Sequence, residues 1–337
     1  MPYNQRSTPL EKSAQKDKFN SLMAFSQELA ERVIKNAWES RRLASAYLFF
    51  GPGGTGRLFL ARSLAKTVNC QVRSFPPCLR CDSCIRIENN NHPDVHNVQK
   101  ENSSFIKIEQ IHQMQKEIFL HPFESKFKVF IIHNAEDLTD EAANCLLKIL
   151  EEPPRDSLII LIASDLRRIF PTIISRCQKI RFNPKDRHEA EIILNRDYHL
   201  GRDLSHYLAF AFEGRIGEAL RLEDSNILSE KNQIIRQFVI RSNLLFNRFD
   251  SKDKQSLEWT LNILIGCVRD LYLLKIGADK GRLINQDISG ELSVLKEKLS
   301  FSDLDFILQQ LCNSLENIRQ NINPRLLVDN LRLLWRK

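Results

Sequence analysis

The sequence predicts an α/β domain built on a parallel sheet, followed by a part of the chain that is entirely helical. Three observations lead to this prediction. The run from Tyr47 to Leu58 combines an apolar strand, a glycine-rich turn and the start of a helix. Short apolar segments then alternate with helical periodicity as far as Phe182, which is typical of a parallel layer sandwich. Beyond Pro184 strand-like segments disappear, and apolar residues recur every three or four positions.

The elements of the first part follow from apolar periodicity and from residues that stop helices. Helices are predicted where apolar residues recur every three or four positions, and buried strands where short apolar runs occur. In chain order these are a helix from Phe19 to Leu43, a strand from Ser45 to Phe50, a helix from Leu58 to Val68, a strand from Pro93 to Val98, a helix from Ile108 to Leu120, a strand from Lys128 to Ile132, a helix that begins at Thr139 and stops at Pro153-Pro154, a strand from Leu158 to Ala163, a helical stretch from Ile169 to Ile174, and a strand from Lys179 to Phe182.

The rest of the chain is predicted to be helical. Three short helices are expected between residues 186 and 222, with Gly201 and Gly214 as the breaks, and further helices over residues 229–335. The sequence therefore divides into three predicted domains, which are residues 1–182, 183–225 and 226–337.

The bulk composition is that of an ordinary globular chain. It has 337 residues, 42% hydrophobic content and a net charge of +7. Residues 1–18 are polar and lack the apolar core of a secretory signal, so we expect a loosely attached arm and a cytoplasmic protein. The basic residues are scattered, which favours a solvated surface and leaves a patch facing a nucleic-acid backbone open.

The glycine-rich turn has the build of a phosphate-binding loop with part of its chemistry altered. Gly51 and Gly56 have the spacing of the pattern G-x-x-x-x-G-K-[ST], in which the lysine reaches the phosphates and the hydroxyl binds Mg²⁺. Arg57 stands at the lysine position. Leu58 stands at the hydroxyl position and offers no metal ligand. The loop thus keeps its turn and loses two of its reactive side chains.

The second half of a nucleotide site is altered in the same direction. In P-loop ATPases a buried strand ends in acidic residues that hold Mg²⁺ and polarise water. Here His133 and Asn134 occupy those places, and Glu136 and Asp137 lie further on, where we expect them to cap the next helix. We therefore expect no ATP hydrolysis at this site. Weak nucleotide binding without turnover, and a loop kept only for its tight turn, both stay open.

Four clustered cysteines predict a structural metal site. Cys78, Cys81 and Cys84 form two overlapping C-x-x-C steps, and Cys70 lies eight positions upstream. Four thiolates complete a tetrahedral zinc site and leave no open position for catalysis. Disulfides are a poor explanation in a cytoplasmic chain, and free thiols are the remaining alternative. The four other cysteines are isolated and look structural.

Two longer runs, together with the glycine loop and the cysteine insert, resemble the bacterial clamp-loader AAA+ family of DNA polymerase III. The first run is Glu141 to Pro154, EAANCLLKILEEPP, and the second is Pro171 to Cys177, PTIISRC. The resemblance covers at least residues 44–182. Because this chain keeps Ser175-Arg176-Cys177 but has an altered nucleotide site, it resembles the non-hydrolysing class of subunit, distinct from the gamma/tau ATPase and from delta.

The resemblance implies an AAA+ module, a small helical lid and a helical collar that joins a five-subunit ring. It also implies that Arg176 acts as an arginine finger on ATP bound by a neighbouring ATPase subunit. An ordinary salt bridge is the alternative role for Arg176. The implied partners are the gamma/tau and delta subunits, the sliding clamp, and primer-template DNA through the complex.

The lid of ATPase members carries an arginine that senses phosphates. At the corresponding place, in the run Gly214 to Leu220, this chain has Gly217, and Arg215 is offset. We expect Arg215 to be a solvated helix residue. Two other functions stay open: a gamma/tau-like ATPase subunit with an atypical site, and a zinc-stabilised DNA-binding module outside any loader.

Overall fold

The computed structural model describes residues 28–101, 103–222, 226–236, 254–320, 322–323 and 326–327. The expectations for the polar arm and for the start of the first helix fall on residues 1–27, outside these ranges. Among the described helices, none is both long and apolar enough to span a bilayer.

The described residues form two compact units. The first contains residues up to 185 together with residues 215–218, and the second contains residues 186–214 and those from 219 onward. The division near residue 185 lies close to the predicted first boundary. The separate lid and collar domains stay predictions.

The first unit contains a sheet of five parallel strands, as the alternation of strands and helices predicts. The strand order is β2-β3-β4-β1-β5. The strands are β1 (Ala46–Phe50), β2 (Val95–Val98), β3 (Lys128–Ile132), β4 (Ser157–Ala163) and β5 (Gln178–Arg181). Strands β3 and β4 are buried along their whole length because they lie inside the sheet and both faces are covered.

Six helices of the described residues belong to this unit. They are α1 (Glu28–Glu39), α2 (Arg57–Asn69), α3 (Asp82–Glu88), α4 (Ile108–Ile118), α5 (Asp140–Glu151) and α6 (Pro171–Ile174). Successive residues of a strand point to opposite faces of the sheet. Leu48 and Phe130 therefore pack with residues of α4 and α5, whereas Tyr47 and Val129 pack with residues of α1 and α2.

Helix α3 and the cap of α5 differ from the prediction. Helix α3 lies in the cysteine segment and is too short to produce a clear apolar period. The expectation that Glu136 and Asp137 cap the following helix is wrong. They form a separate turn over residues 135–137, and Thr139 caps α5 by accepting a hydrogen bond from the Ala142 amide at 3.3 Å. Thr139 is the residue that directly precedes the helix, so its hydroxyl can reach the unpaired amides.

The second unit is helical throughout its described residues. Its helices are α7 (Arg187–Tyr198), α8 (Arg202–Ala211), α9 (Ile216–Ala219, whose first residues belong to the first unit), α10 (Ile227–Ile235), α11 (Lys254–Lys275), α12 (Ser289–Leu295) and α13 (Phe301–Arg319). The first three are the short helices predicted between residues 186 and 222. A fully buried Lys231 pairs with Asp287 at 2.7 Å, and the Nε2 atom of His206 lies 2.7 Å from the Leu283 carbonyl oxygen.

Candidate functional site

The glycine loop joins β1 to α2 at the carboxyl edge of the sheet. Gly51, Gly54 and Gly56 have φ values of 142°, 72° and 88°, which residues with a side chain rarely adopt. A Cβ atom on Gly51 would also overlap the backbone carbonyl of Phe182. The Gly51 amide donates to the Ala163 carbonyl of β4 at 3.1 Å. The tight turn is therefore a requirement of the fold at this edge.

The side chain at the lysine position is hydrogen-bonded within the chain, to the same carbonyl that accepts from the Gly51 amide. The Arg57 guanidinium donates to the backbone carbonyl of Ala163 at the end of β4. Burial lowers the pKa of Arg57, and the negative charges of Glu136 and Glu218 partly offset that effect. Leu58 packs against the apolar core beside the loop. The first helical turn thus presents an arginine already engaged within the chain and no oxygen ligand.

The start of α9 lies directly on the glycine loop. The Gly217 amide donates to the Gly54 carbonyl at 2.9 Å. A Cβ atom on Gly54 would lie 2.7 Å from the Glu218 amide nitrogen, and one on Gly53 would overlap the Glu218 carboxylate. A Cβ atom on Gly217 would lie 3.0 Å from the Gly54 carbonyl oxygen. Gly217 is therefore in close backbone contact with the glycine loop.

Arg215 differs from its expected role. It precedes α9, is half-buried, and forms an ion pair with Glu218. The expectation of a solvated helix residue is therefore wrong, because the segment folds back onto the glycine loop and buries part of the side chain.

The end of β3 presents an imidazole and an amide in place of two carboxylates. The Nε2 atom of His133 lies 2.9 Å from the Asn97 carboxamide oxygen on β2. Burial, together with the positive charge of Arg62, lowers the pKa of His133, which favours the neutral ring. Asn134 has a left-handed backbone with φ of 47°, which asparagine tolerates better than most residues. This edge of the sheet lacks the acidic pair that would hold Mg²⁺ in P-loop ATPases.

One carboxylate near this edge is engaged elsewhere. Glu136 accepts hydrogen bonds from the backbone and the hydroxyl of Ser164, which follows β4. Its second oxygen is buried and has no hydrogen-bond partner in the described part of the chain. Asp137 pairs with Lys100 at 2.9 Å. Neither side chain is the sequence equivalent of the missing acids, and both have structural partners.

The four predicted metal ligands come together. The sulfur atoms of Cys70, Cys78, Cys81 and Cys84 all lie within 4.8 Å of one another. Zinc–sulfur bonds of about 2.3 Å in a tetrahedron place sulfurs about 3.8 Å apart, so this cluster fits such a metal. Cys70 directly follows α2, whereas Cys81 precedes α3 and Cys84 lies in its first turn. The insert thus folds so that two helix ends supply three of the ligands.

One thiol of this cluster, that of Cys70, has a lowered pKa. Burial disfavours its thiolate, but hydrogen bonds from the backbone and side chain of Cys78 and from nearby amides outweigh that effect and lower the pKa of Cys70 to about 6. The Cys78 amide lies 3.5 Å from the Cys70 sulfur. A thiolate is the form that binds a metal. Burial raises the pKa of Cys78 and Cys84 in the same cluster, so the support for a metal site is the convergence of the four sulfurs. Outside the cluster, burial raises the pKa of Cys177 to about 12, in line with a structural role.

Arg176 lies at the surface directly after α6. Its Nη1 atom donates to the Thr172 carbonyl at 2.9 Å, and its Nη2 atom lies 2.5 Å from Oε1 of Glu151 at the end of α5. The neighbouring Cys177 is buried and anchors the turn to the core. The guanidinium is about one third exposed and is held by an exposed carboxylate. An anion brought by another molecule could replace that carboxylate.

Three residues that interact with Arg57 or Arg176 were not predicted from the sequence to do so. Glu218 and Glu136 meet Arg57 only after the chain folds, and no local pattern connects them. Glu151 lies in the run Glu141 to Pro154, but its contact with Arg176 joins α5 to the turn that follows α6. The one available signal was Gly217, since the loss of a side chain there indicates room for a close approach to the loop.

Comparison with known proteins finds related sequences and structures. Two family models described as "DNA polymerase III, delta subunit" and "DNA polymerase III, delta subunit, C terminal" match residues 26–186 and 228–337. The "DNA polymerase III subunit tau" of Escherichia coli (strain K12) is 34% identical over 63% of this chain and 34% of its own length. A gamma subunit-related protein of Thermotoga maritima gives a TM-score of 0.48 at 17% identity, covering 90% of this chain and 98% of that one.

A second curated relative covers almost the whole molecule. The "DNA polymerase III subunit delta'" of Bacillus subtilis (strain 168) is 33% identical over 326 residues, which are 91% of this chain and 96% of that protein. This chain therefore belongs to the delta prime family of DNA polymerase III clamp-loader subunits.

Proposed function

We propose that this chain is a non-hydrolysing subunit of the clamp loader, which helps to load the sliding clamp onto primed DNA and supplies Arg176 in trans to a neighbouring ATPase subunit. The observation that carries the first half of this proposal is the closure of the glycine loop by the chain itself. Arg57 is bonded to Ala163, and the start of α9 with Glu218 lies on Gly53 and Gly54.

The charges around the loop also oppose a nucleotide. A polyphosphate placed on the loop would meet the Glu218 carboxylate, which lies against Gly53. Two negative charges about 5 Å apart repel by about 3 kcal/mol at an effective dielectric constant of about 20, or roughly two orders of magnitude in affinity. The loop therefore has the shape of a phosphate-binding site, but the negative charge of Glu218 lies where a phosphate would bind. We infer that it serves as a scaffold.

Arg176 supports the second half of the proposal. Its guanidinium is at the surface beside the buried Cys177, and it donates to the Thr172 carbonyl, the Ser175 hydroxyl and the Glu151 carboxylate. A phosphate of a neighbouring subunit could take the place of the exposed Glu151. A guanidinium supplied in trans stabilises charge on the transferring phosphoryl group and is worth about 10³ to 10⁵ in rate.

The partners follow from this role. We propose that the gamma/tau and delta subunits join this chain in a ring through the helices of residues 226–337, that residues 183–225 act as the lid, and that the sliding clamp and primer-template DNA are met through the complex. Zinc in the four-cysteine site is structural. Replication partners would place the chain in the cytoplasm.

The first test measures nucleotide binding and phosphate release by the isolated chain. We expect neither, because the loop is already filled. Replacing Arg57 with Lys and Leu58 with Thr restores the two residues of the consensus loop, and we expect this variant to remain without turnover, since Glu218, His133 and Asn134 are unchanged. Turnover by the wild-type chain, reduced by Arg57→Ala, would instead support a gamma/tau-like ATPase with an atypical site.

The second test uses the assembled complex. Arg176→Ala is expected to lower the DNA-stimulated ATPase rate of the facing site by about a hundredfold or more, while the ring still assembles. Arg168→Ala is a matched control, because Arg168 is an exposed arginine only eight positions upstream. An unchanged rate for Arg176→Ala in a complex that forms normally would remove the finger role and leave Arg176 as a salt bridge to Glu151.

A further inference from the structure

The four-cysteine site is connected to a segment far from it in the sequence. Residues 119–127 link α4 to β3, and we call them the 119–127 segment. Its apolar side chains Phe119, Leu120 and Phe123 are 64%, 63% and 83% exposed. Three exposed apolar side chains so close together are uncommon in a loop. The backbone that carries them is nevertheless held at several points.

A buried carboxylate holds the middle of the segment. Asp94 is fully buried before β2, and its two oxygens accept hydrogen bonds from the amides of Phe123, Glu124 and Ser125 at 2.6, 3.0 and 2.9 Å. These bonds lower the pKa of Asp94 although burial raises it. The charged carboxylate thus fixes three successive amides, and the exposure of Phe123 belongs to an ordered turn.

The first link to the cysteine site runs through a buried histidine. Ser83, directly before the ligand Cys84, places its hydroxyl 3.2 Å from Nε2 of His92, and the Ser125 hydroxyl lies 3.2 Å from the same nitrogen. The Asp94 amide donates to Nδ1 of His92, so the neutral ring carries its proton on Nε2. His92 therefore bridges α3 and the 119–127 segment from a buried position.

The second link is an ion pair. Nη1 of Arg86 on α3 lies 2.7 and 2.9 Å from the two carboxylate oxygens of Glu124. Both partners are only about one third exposed. The pair therefore connects α3 to Glu124, the residue that precedes Ser125.

The third link starts beside another ligand. Asn69 is the last residue of α2 and directly precedes Cys70. Its carboxamide donates to the Phe127 carbonyl and accepts from the Phe127 amide, both at 2.9 Å. Asn69 and Arg86 therefore contact positions 127 and 124 of the segment directly, whereas Ser83 reaches position 125 through His92.

We propose that the metal-binding module is a brace for the 119–127 segment. A metal bound by the four cysteines fixes the end of α2 against the start of α3, and Asn69, Ser83 and Arg86 transmit that order to the segment. The consequence is a fixed turn that presents Phe119, Leu120 and Phe123 on the surface. This role is independent of nucleotide chemistry and of Arg176.

The test is hydrogen–deuterium exchange of the full chain, followed by peptide, with the metal bound and after its removal by a chelator. We expect the amides of Phe123, Glu124, Ser125 and Phe127 to exchange about tenfold faster without the metal, as the loss of one or two hydrogen bonds would produce. Peptides from β4 serve as the internal reference. Unchanged exchange over the 119–127 segment in metal-free protein whose residues 78–88 have loosened would overturn the proposal.

A pair of substitutions keeps the test decisive if metal removal unfolds the domain. Ser83→Ala combined with Arg86→Ala leaves all four cysteines in place and removes two links. We expect full metal content, unchanged exchange in β4, and about tenfold faster exchange in the 119–127 segment. Ile85→Ala, on the exposed side of the same helix, is the matched control and should exchange like the wild type. Wild-type exchange in the double variant would refute the brace.

Discussion

The two ends of helix α2 make an instructive comparison. Its first turn follows the glycine loop, and its last residue precedes the ligand Cys70. At the first end the backbone geometry is complete, but the lysine, hydroxyl and acidic groups of a nucleotide site are replaced. At the other end all four thiols are present and come within 4.8 Å of one another. The first site has the backbone of a nucleotide site without its reactive side chains, whereas the second has all four thiols that a tetrahedral metal would need.

The difference distinguishes backbone features that the fold requires from side chains that ligand binding requires. The glycine turn fits against Phe182, Ala163 and Gly217 and is required whether or not a phosphate binds. A tetrahedral metal requires every ligand, because the loss of one thiolate leaves a defective site. A retained backbone motif is therefore weak evidence of activity, whereas a complete ligand set is stronger. Three predictions test this contrast, in decreasing order of magnitude.

The largest effect is expected at the cysteine site. Cys84→Ser should abolish stoichiometric metal binding and lower the free energy of unfolding of the first unit by several kcal/mol, since the metal-binding free energy of such modules contributes to folding. Metal analysis and urea unfolding measure the two quantities. Cys312→Ser, at an exposed isolated cysteine, is the control and should change neither. A variant with wild-type stability, or a native protein without metal, would contradict the structural role.

A smaller but definite effect is expected at the glycine loop. Gly51→Ala should lower the free energy of unfolding by about 3 kcal/mol or more, because φ of 142° is strained for alanine and the added Cβ overlaps Phe182. Chemical denaturation checks the loss. Gly290→Ala is the matched control, since a Cβ there meets open space within α12 and alanine favours a helix. A tolerated Gly51→Ala would show that the turn is not required by the fold.

The smallest effect concerns the end of β3. The pKa of His133 lies below 6.5 in the folded chain, so the unfolded chain takes up the proton first as the pH falls. The contribution of His133 is complete above pH 6.5 and is lost as the pH falls toward the folded pKa, by at most about 1.4 kcal/mol per pH unit. His133→Gln keeps a donor for Asn97 and should flatten the decline in stability between about pH 7 and about pH 5. Urea unfolding over this range measures it, and an identical pH profile in the two proteins would contradict the argument.

Local patterns in the sequence predicted the helices and strands better than they predicted the contacts of the candidate site. Strand β3 begins and ends at the predicted residues because five consecutive apolar or buried positions leave little choice of register. Helix α3 was not predicted because it is only seven residues long and lies in the cysteine-rich insert. Helix α4 ends two residues before the expected boundary, at Ile118, since Phe119 and Leu120 face solvent despite their apolar character.

The candidate site divides in the same way. The spacing of Cys70, Cys78, Cys81 and Cys84 was sufficient to predict their convergence, because a short insert brings nearby cysteines together. The partners of Arg57 were beyond prediction, since Ala163, Glu136 and Glu218 lie on three separate elements. The same holds for Glu151 beside Arg176.

Patterns in the sequence were sufficient to predict the parallel α/β architecture, the membership of the clamp-loader family and the convergence of the four cysteines. Each of these depends on residues close in the chain or on a motif of fixed spacing. The packing of the folded chain was needed to show that the glycine loop is covered by Gly217 and Glu218. It was also needed to show that residues beside the four cysteines reach the 119–127 segment, Asn69 and Arg86 directly and Ser83 through His92. Such contacts depend on how helices and strands pack in three dimensions, because hydrogen bonds between distant residues leave no period or spacing in the sequence.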